Sequence, residues 1–182
     1  MDPEQFVKEI LLEQMNVGYI AVGSDFRFGH DRAGDIYLLD RLSRKYHFRL
    51  LVLAKEQYEG RDISSTYIRE ILRRGQMELA EELLGYPYFV TGEVVRGKQL
   101  GRKLGTPTLN QIPREEKLLP PDGVYASRVY LDDKMYGGMT NIGMRPTMED
   151  VKVRNVETCL FDFDKNIYGR NVKVELLAFQ RE

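Results

Sequence analysis

Hydrophobic residues recur at helical spacing from the start of the chain: Phe6, Ile10 and Leu11, with Val7 and Met15 alongside, form one apolar stripe behind Asp2-Pro3. An acidic N-cap followed by proline opens a helix cleanly, because the N–H that proline lacks is one a helix start leaves unpaired anyway. Tyr19-Ile20-Ala21-Val22 reads as a short buried strand ending at Gly23, followed by a glycine- and charge-rich loop from Ser24 to Gly34. Asp35 to Tyr46 is the next predicted helix, with Ile36, Leu39 and Leu42 on its inner face, and Phe48 to Leu53 is another apolar strand. Helix and strand in alternation are the rhythm of an α/β parallel sheet. After a polar stretch, Ile63-Ser64-Ser65-Thr66 leads into a helix over Tyr67–Arg74 closed by Gly75, and Gln76–Leu84 predicts a second closed by Gly85. Hydroxyls before a helix satisfy its free N–H groups, and glycine after it adopts the left-handed turn that ends it.

From Tyr86 the period changes. Tyr88–Arg96, Val124–Leu131, Met135–Asn141, Arg154–Asp164 and Asn171–Phe179 are rich in Val, Tyr, Phe and Thr, and Asp132-Asp133 and Lys165-Asn166 punctuate them as tight connections. Five candidate strands with no convincing helix between them predict a closed barrel or a sandwich. The domain boundary is placed at Gly85–Pro87, giving domains 1–85 and 86–182. No internal repeat or low-complexity segment is present.

Composition narrows the partners. The chain has 182 residues, 42% hydrophobic and 30% charged, which suits one or two ordinary globular domains. Its formal net charge of −1 gives no whole-chain reason to expect nucleic acid or an anionic membrane. Locally, Arg96, Lys98, Arg102 and Lys103 make a basic run without an acid, which suits a compact anion such as phosphate; a solvated basic loop is the plainer reading of such a run. Cys159 is the only cysteine, so no intrachain disulfide can form and a reducing compartment is expected. No apolar run approaches the roughly 20 residues of a membrane-spanning helix. The acidic, amphipathic start does not resemble a signal peptide, and a cytoplasmic location is the expectation.

Three segments carry candidate chemistry. Glycines 92, 97, 101 and 105 punctuate Gly92 to Gly105, and glycine lets backbone N–H groups approach a phosphate closely. The segment is not the phosphate loop that ends in Gly-Lys-Ser/Thr, and the same glycines would equally serve a flexible hairpin. In Gly105-Thr106-Pro107-Thr108-Leu109-Asn110, a hydroxyl and a side-chain amide stand two apart, hence on one side of extended backbone. Thr108 and Asn110 could both reach a hard cation such as Mg²⁺, with phosphate oxygens and waters completing its shell; a turn at a strand edge is the alternative. In Asn155-Val156-Glu157-Thr158-Cys159-Leu160-Phe161-Asp162-Phe163, alternation puts Glu157 on a face with Cys159, Phe161 and Phe163. Burial there would raise the pKa of the carboxylate and suit it to accept a proton from an attacking hydroxyl; a position near the strand end, reaching water, is the other reading. Asn141-Ile142-Gly143-Met144-Arg145-Pro146-Thr147 is rich in turn formers and either shapes a site mouth or simply stabilises its turn. His30 and His47 show no metal-ligand spacing.

Taken together, these segments resemble the bacterial bifunctional riboflavin kinase/FMN adenylyltransferase (FAD synthetase) family over essentially the whole chain. The resemblance implies an α+β two-domain protein: a partial α/β Rossmann-like nucleotidyltransferase remnant, then a six-stranded antiparallel Greek-key β-barrel. The barrel would bind ATP and Mg²⁺ and phosphorylate the ribityl 5′-hydroxyl of riboflavin to give FMN. It implies Thr108 and Asn110 as metal ligands and Glu157 as general base. Gly92, Gly97, Lys98, Gly101, Arg102, Lys103, Gly105, Thr106, Asn141 and Arg145 would surround nucleotide and flavin.

In the first half, Gly23-Ser24-Asp25-Phe26-Arg27-Phe28-Gly29 and Ile63-Ser64-Ser65-Thr66-Tyr67-Ile68-Arg69 are similar to that family's FMN/ATP segments. Asp25, Arg27, Gly29, Ser64, Ser65, Thr66 and Arg69 would bind nucleotide there, with the helix N-terminus holding phosphate. The family's His-x-x-His-like signature is missing and its C-terminal helix would lie beyond Glu182, so the chain is read as truncated at both ends with FMN adenylyltransferase activity lost. Cys159 stands where histidine is common, and Asn166-Ile167 replaces an acidic turn pair. The expected partners are the small molecules riboflavin, FMN and ATP, with no nucleic acid and no membrane. The alternatives are a noncatalytic β-barrel binding nucleotide or single-stranded RNA, and FAD synthesis completed by another chain.

Overall fold

The computed structural model describes residues 1–97, 108–146 and 152–181. The chain divides into two compact units, Met1–Asp62 and Ile63–Glu182.

In the first unit Asp2 caps a short helix, α1 (Pro3–Gln5), its carboxylate accepting from the N–H groups of Glu4 and Gln5, and the turn continues as a π-helical segment, Phe6–Gln14. The wider winding shifts the buried stripe: Val7 is fully buried, Leu12 joins Phe6 and Leu11 against the core, and Met15 is exposed instead of inward. Strand β1 (Tyr19–Gly23) pairs in parallel with β2 (Arg49–Leu53), and α2 (Ile36–Tyr46) connects them. This is the α/β arrangement expected from the pattern. Asp35 caps α2 by accepting from Leu38 N–H at 2.8 Å, and Leu39 and Leu42 bury its inner face against Phe28 and Phe48. The strands are not buried as expected, since Tyr19, Leu51, Val52 and Leu53 are all exposed. Burial of parallel strands needs cover on both faces, and here the pair is two-stranded. A small hairpin, β3 (Gln57–Tyr58) and β4 (Arg61–Asp62), completes the unit.

The second unit opens with α3 (Ser65–Arg73) and α4 (Met77–Leu84). Ser64 is the cap of α3, accepting from Tyr67 N–H at 3.2 Å, so Ser65 and Thr66 lie inside the helix and not ahead of it. Gly85 ends α4 in the left-handed conformation, φ 78°. Ile68, Ile71, Leu72, Met77 and Ala80 from these helices share one core with Val90, Tyr125, Val129, Val172 and Val174 of the sheet. The compact unit therefore begins at Ile63, whereas the sequence pattern sets the change of domain after α4.

The sheet has six strands: β5 (Tyr88–Glu93), β6 (Thr108–Gln111), β7 (Gly123–Leu131), β8 (Lys134–Pro146), β9 (Lys152–Leu160) and β10 (Asn171–Arg181). They run in the order β5-β10-β7-β8-β9-β6, every described pairing antiparallel. Three hairpin-linked strands with the fourth returning beside the first is a Greek key, here β10 beside β7, β8 and β9. Beyond β5, Val95 N–H donates to Asn110 C=O at 2.8 Å, which joins the two outer strands and curls the sheet into a barrel. Gln111, fully buried, adds a second tie: its Nε2 donates to the carbonyls of Gly92 at 2.9 Å and Val172 at 2.8 Å. The β9 strand ends at Leu160 and not at Asp164, because Asp162 takes φ 53° and turns the chain. Alternation thus stops short of Phe161 and Phe163.

Candidate functional site

Strands β6 and β9 build the centre of the site by register. Asn110 stands opposite Glu157, and on the other side of β9 Asn141 of β8 also stands opposite Glu157. In an antiparallel sheet, opposed residues put their side chains on the same face. The face is the outer one, since the alternate residues Leu109, Val156 and Ile142 fill the core. Thr108 shares it and donates its hydroxyl hydrogen to Glu157 Oε1 at 2.6 Å. Thr108, Asn110 and Glu157 therefore converge, as the sequence reading required.

Two features of this cluster differ from expectation. Glu157 is only partly buried, and its side chain keeps a polar partner in place of the apolar face foreseen. Asn110 is the more enclosed group, 5% exposed, and its Oδ1 accepts from Asn155 Nδ2 at 2.9 Å. Over its other side runs Gly97, so close that a Cβ on that residue would sit 2.6 Å from Asn110 Nδ2. The glycine is required by this approach of backbone to side chain.

A cavity of about 270 Å³ opens beside the cluster, lined by Thr108, Asn110 and Gly97 and walled by Val94, Phe163 and Tyr168. Arg96 stacks over the Tyr168 ring, 5.7 Å from its centroid. Apolar walls with a few convergent polar groups are what a small-molecule site needs. As oxygen donors, the cluster suits a hard cation. The hydroxyl of Thr108 gives its hydrogen to Glu157 and keeps its lone pairs, and the carbonyl oxygen of Asn110 has a lone pair beyond the one Asn155 uses. Magnesium, which prefers a few protein oxygens plus phosphate and water, fits this donor set.

The remaining candidates are placed as follows. Gly92 pairs with Val172 inside the β5–β10 ladder and gives its carbonyl to Gln111. Asn141 is exposed in the row with Glu157, and Arg145 enters the β8–β9 ladder opposite Val153. Lys98, Gly101, Arg102, Lys103, Gly105, Thr106 and Thr147 lie outside the described residues.

In the first unit, Asp25 forms an ion pair with Lys55 at 2.9 Å, and Lys55 also reaches Asp62 at 3.4 Å. The hydrogen bond from Lys55 holds the Asp25 carboxyl below its usual range, and in turn Asp25 raises the lysine. Arg27 lies 3.9 Å from Asp35, and Gly29, at φ 75°, packs on Pro3. Ser64, Ser65, Thr66 and Arg69 belong to the second unit, where Ser64 caps α3 and the other three are exposed on its first turns.

Sequence reasoning missed Asn155, Lys55 and Gln111. Alternation from Glu157 reaches Asn155 two residues back, so its shared face was readable; the charged partner of Asp25 and the amide across the barrel depend on pairings distant in sequence.

The chain's relatives bear on what this geometry serves. Residues 84–182 match the riboflavin kinase family and residues 1–67 match the FAD synthetase family. Bifunctional riboflavin kinase/FMN adenylyltransferases are similar to it: that of Buchnera aphidicola is 37% identical over 97% of this chain and 57% of its own, and that of Escherichia coli K12 is 38% identical over 95% and 55%. The Bacillus subtilis protein of the same description is 35% identical over 96% and 55%. The chain thus spans somewhat more than half the length of these curated relatives. A solved structure described as a macrolide-efflux protein from Streptococcus pneumoniae superposes with a TM-score of 0.84 at 30% identity, covering 100% of this chain and 58% of that one. Among the described residues no helix is long and apolar enough to cross a membrane. With its barrel half matched throughout, this chain belongs to the riboflavin kinase family.

Proposed function

We propose that the barrel transfers the γ-phosphoryl group of ATP to the ribityl 5′-hydroxyl of riboflavin, giving FMN and ADP. The observation that carries the reading is the convergence of Thr108 and Glu157, joined by a 2.6 Å hydrogen bond, with Thr108 lining a cavity. Residues 86–182 are the kinase domain in this reading and residues 1–85 part of an FMN adenylyltransferase domain, in a cytoplasmic protein.

Phosphoryl transfer asks a protein for positioning and for charge stabilisation more than for covalent chemistry. Glu157 accepts the proton of the flavin hydroxyl as its oxygen bonds to phosphorus and the bond from phosphorus to the ADP oxygen breaks. Its Oε1 is engaged by Thr108, which orients the carboxylate and leaves Oε2 for the substrate. Thr108 and Asn110 would hold Mg²⁺, which when bound neutralises charge on the β- and γ-phosphates. Val94 and Phe163 give the cavity an apolar side against which the nucleotide would pack. The basic glycine segment from Arg96 to Lys103 supplies positive charge for the phosphates, and Asn141 and Arg145 border the flavin side. Asp25, Arg27 and Gly29 of the first unit, and separately Ser64, Ser65, Thr66 and Arg69 of α3, are the nucleotide-binding residues in the adenylyltransferase reading.

The test is FMN and ADP formation from riboflavin, ATP and Mg²⁺, followed by mass-resolved chromatography. Glu157→Gln is expected to lower kcat by about 100-fold or more, within the range for loss of a general base. A Glu157→Gln protein that turns over at the parental rate would sink the assignment. Salt-dependent oligonucleotide binding without flavin turnover would favour a noncatalytic module instead.

A further inference from the structure

Asn155 is a buried polar residue beside the site that the reaction just described does not use. It lies on β9, two residues before Glu157 and on the same face, and is 6% exposed. Its Nδ2 donates to Asn110 Oδ1 at 2.9 Å, while its own Oδ1 is buried without a hydrogen-bond partner among the described residues. A side-chain amide buried with one end unsatisfied is unfavourable, and most buried polar groups avoid it. Here the satisfied end is the one that touches the side chain facing the cavity.

The surroundings of Asn110 explain what the contact does. Its backbone is pinned by the bond from Val95, and Gly97 crowds its Nδ2. Neither feature decides which end of the amide is oxygen. Asn155 ties the oxygen end, its N–H donating to Asn110 Oδ1 in the present arrangement, and a turn of the Asn110 amide alone would set N–H against N–H.

We propose that Asn155 is a positioning residue for the phosphoryl-transfer site. It holds the Asn110 amide so that the carbonyl oxygen keeps one fixed direction and a spare lone pair for a divalent cation. The inference rests on the kinase reading above and adds to it a residue that touches neither nucleotide nor flavin.

The variants Asn155→Ala, Asn155→Asp, Asn110→Ala and the double variant Asn110→Ala/Asn155→Ala separate the possibilities. Asn155→Ala removes the unsatisfied acceptor but also takes the donor from the buried Asn110 Oδ1, so its thermal midpoint is expected to fall modestly while the protein stays folded. Asn155→Asp keeps the shape without the donor. Both are expected to raise the Mg²⁺ concentration for half-maximal FMN formation about tenfold, with the KM for riboflavin within about twofold of the parent. Calorimetric binding of ADP, measured with and without Mg²⁺, is expected to lose its Mg²⁺-dependent part while metal-free binding stays unchanged. In the Asn110→Ala background, removing Asn155 is expected to change nothing further.

Parental Mg²⁺ dependence in Asn155→Ala, or effects of the two alanine substitutions that simply multiply, would overturn the positioning role while leaving the kinase reading intact. Should Asn155→Ala prove unfolded, the Asn155→Asp protein and the cycle built on it decide in the same way. A parent protein that neither forms FMN nor binds ADP more tightly with Mg²⁺ removes the kinase reading, and this inference with it.

Discussion

Thr108 and Glu157, 49 residues apart in sequence, meet across a 2.6 Å hydrogen bond because β6 pairs with β9 in a register that sets Asn110 opposite Glu157. The contact gives the threonine two roles. In the kinase proposed above, its hydrogen would orient the carboxylate and its lone pairs would serve a cation.

Thr108→Val keeps the shape and removes both roles, so kcat for FMN formation is expected to fall by about 100-fold or more. Thr108→Ser keeps the hydroxyl and is expected to retain most of the activity. Steady-state kinetics on the pair separates chemistry from packing. A loss in Thr108→Ser beside a parental kcat in Thr108→Val would mean that the methyl group matters and the hydroxyl does not.

Gly97→Ala puts a methyl group 2.6 Å from Asn110 Nδ2. Either the amide or the backbone beyond Val95 must give way, and kcat/KM for ATP is expected to drop at least tenfold. Gly18→Ala is the control, since a Cβ there meets nothing within 4 Å. If Gly97→Ala retains the parental kcat/KM, the approach of this backbone to Asn110 is not what the site requires.

Stability at high pH depends on Tyr125. Burial pushes its phenol up to about 12, against an ordinary value of 10.0, with Arg154 acting in the opposite direction and Asp122 in the same one. A group that binds its proton more tightly in the folded state stabilises fully below its unfolded pKa. That contribution is therefore present below about pH 10 and is lost as pH rises toward about 12. Tyr125→Phe is expected to lose the hydrogen bond to the Pro121 carbonyl at 2.6 Å, costing about 1 kcal/mol at neutral pH, and to flatten the stability profile between pH 10 and 12. Urea titrations at several pH values measure both effects; an unchanged slope in the variant would assign the pH dependence to another group.

Gln111→Ala is expected to destabilise the second unit by about 2–4 kcal/mol, since it empties a fully buried site and strips a donor from the carbonyls of Gly92 and Val172. The denaturant midpoint reads this directly, and a midpoint within error of the parent's would show that the amide is no tie.

Much of this was legible in the residues. The helices were readable because proline, hydroxyl and glycine punctuation marks their ends, and five strands of the barrel because their runs are rich in Val, Tyr, Phe and Thr. The shortest strand of the six-stranded sheet, β6, has four residues, and only its pairing with β9 makes it one. Glu157 was found, but its surroundings were misjudged, because Asp162 turns the chain before alternation can carry Phe161 and Phe163 onto its face. Exposure of β1 and β2 was not readable either, since an apolar run does not say how many neighbours will cover it.

Asn110 joins two jobs in one residue. Its backbone carbonyl takes the Val95 N–H where the barrel's outer strands meet, and its side chain belongs to the site. Opening of that seam by heat would therefore silence the enzyme while the rest of the sheet still holds. The temperature of half-inactivation should fall below the calorimetric midpoint, making lost turnover the earliest report of a fraying edge.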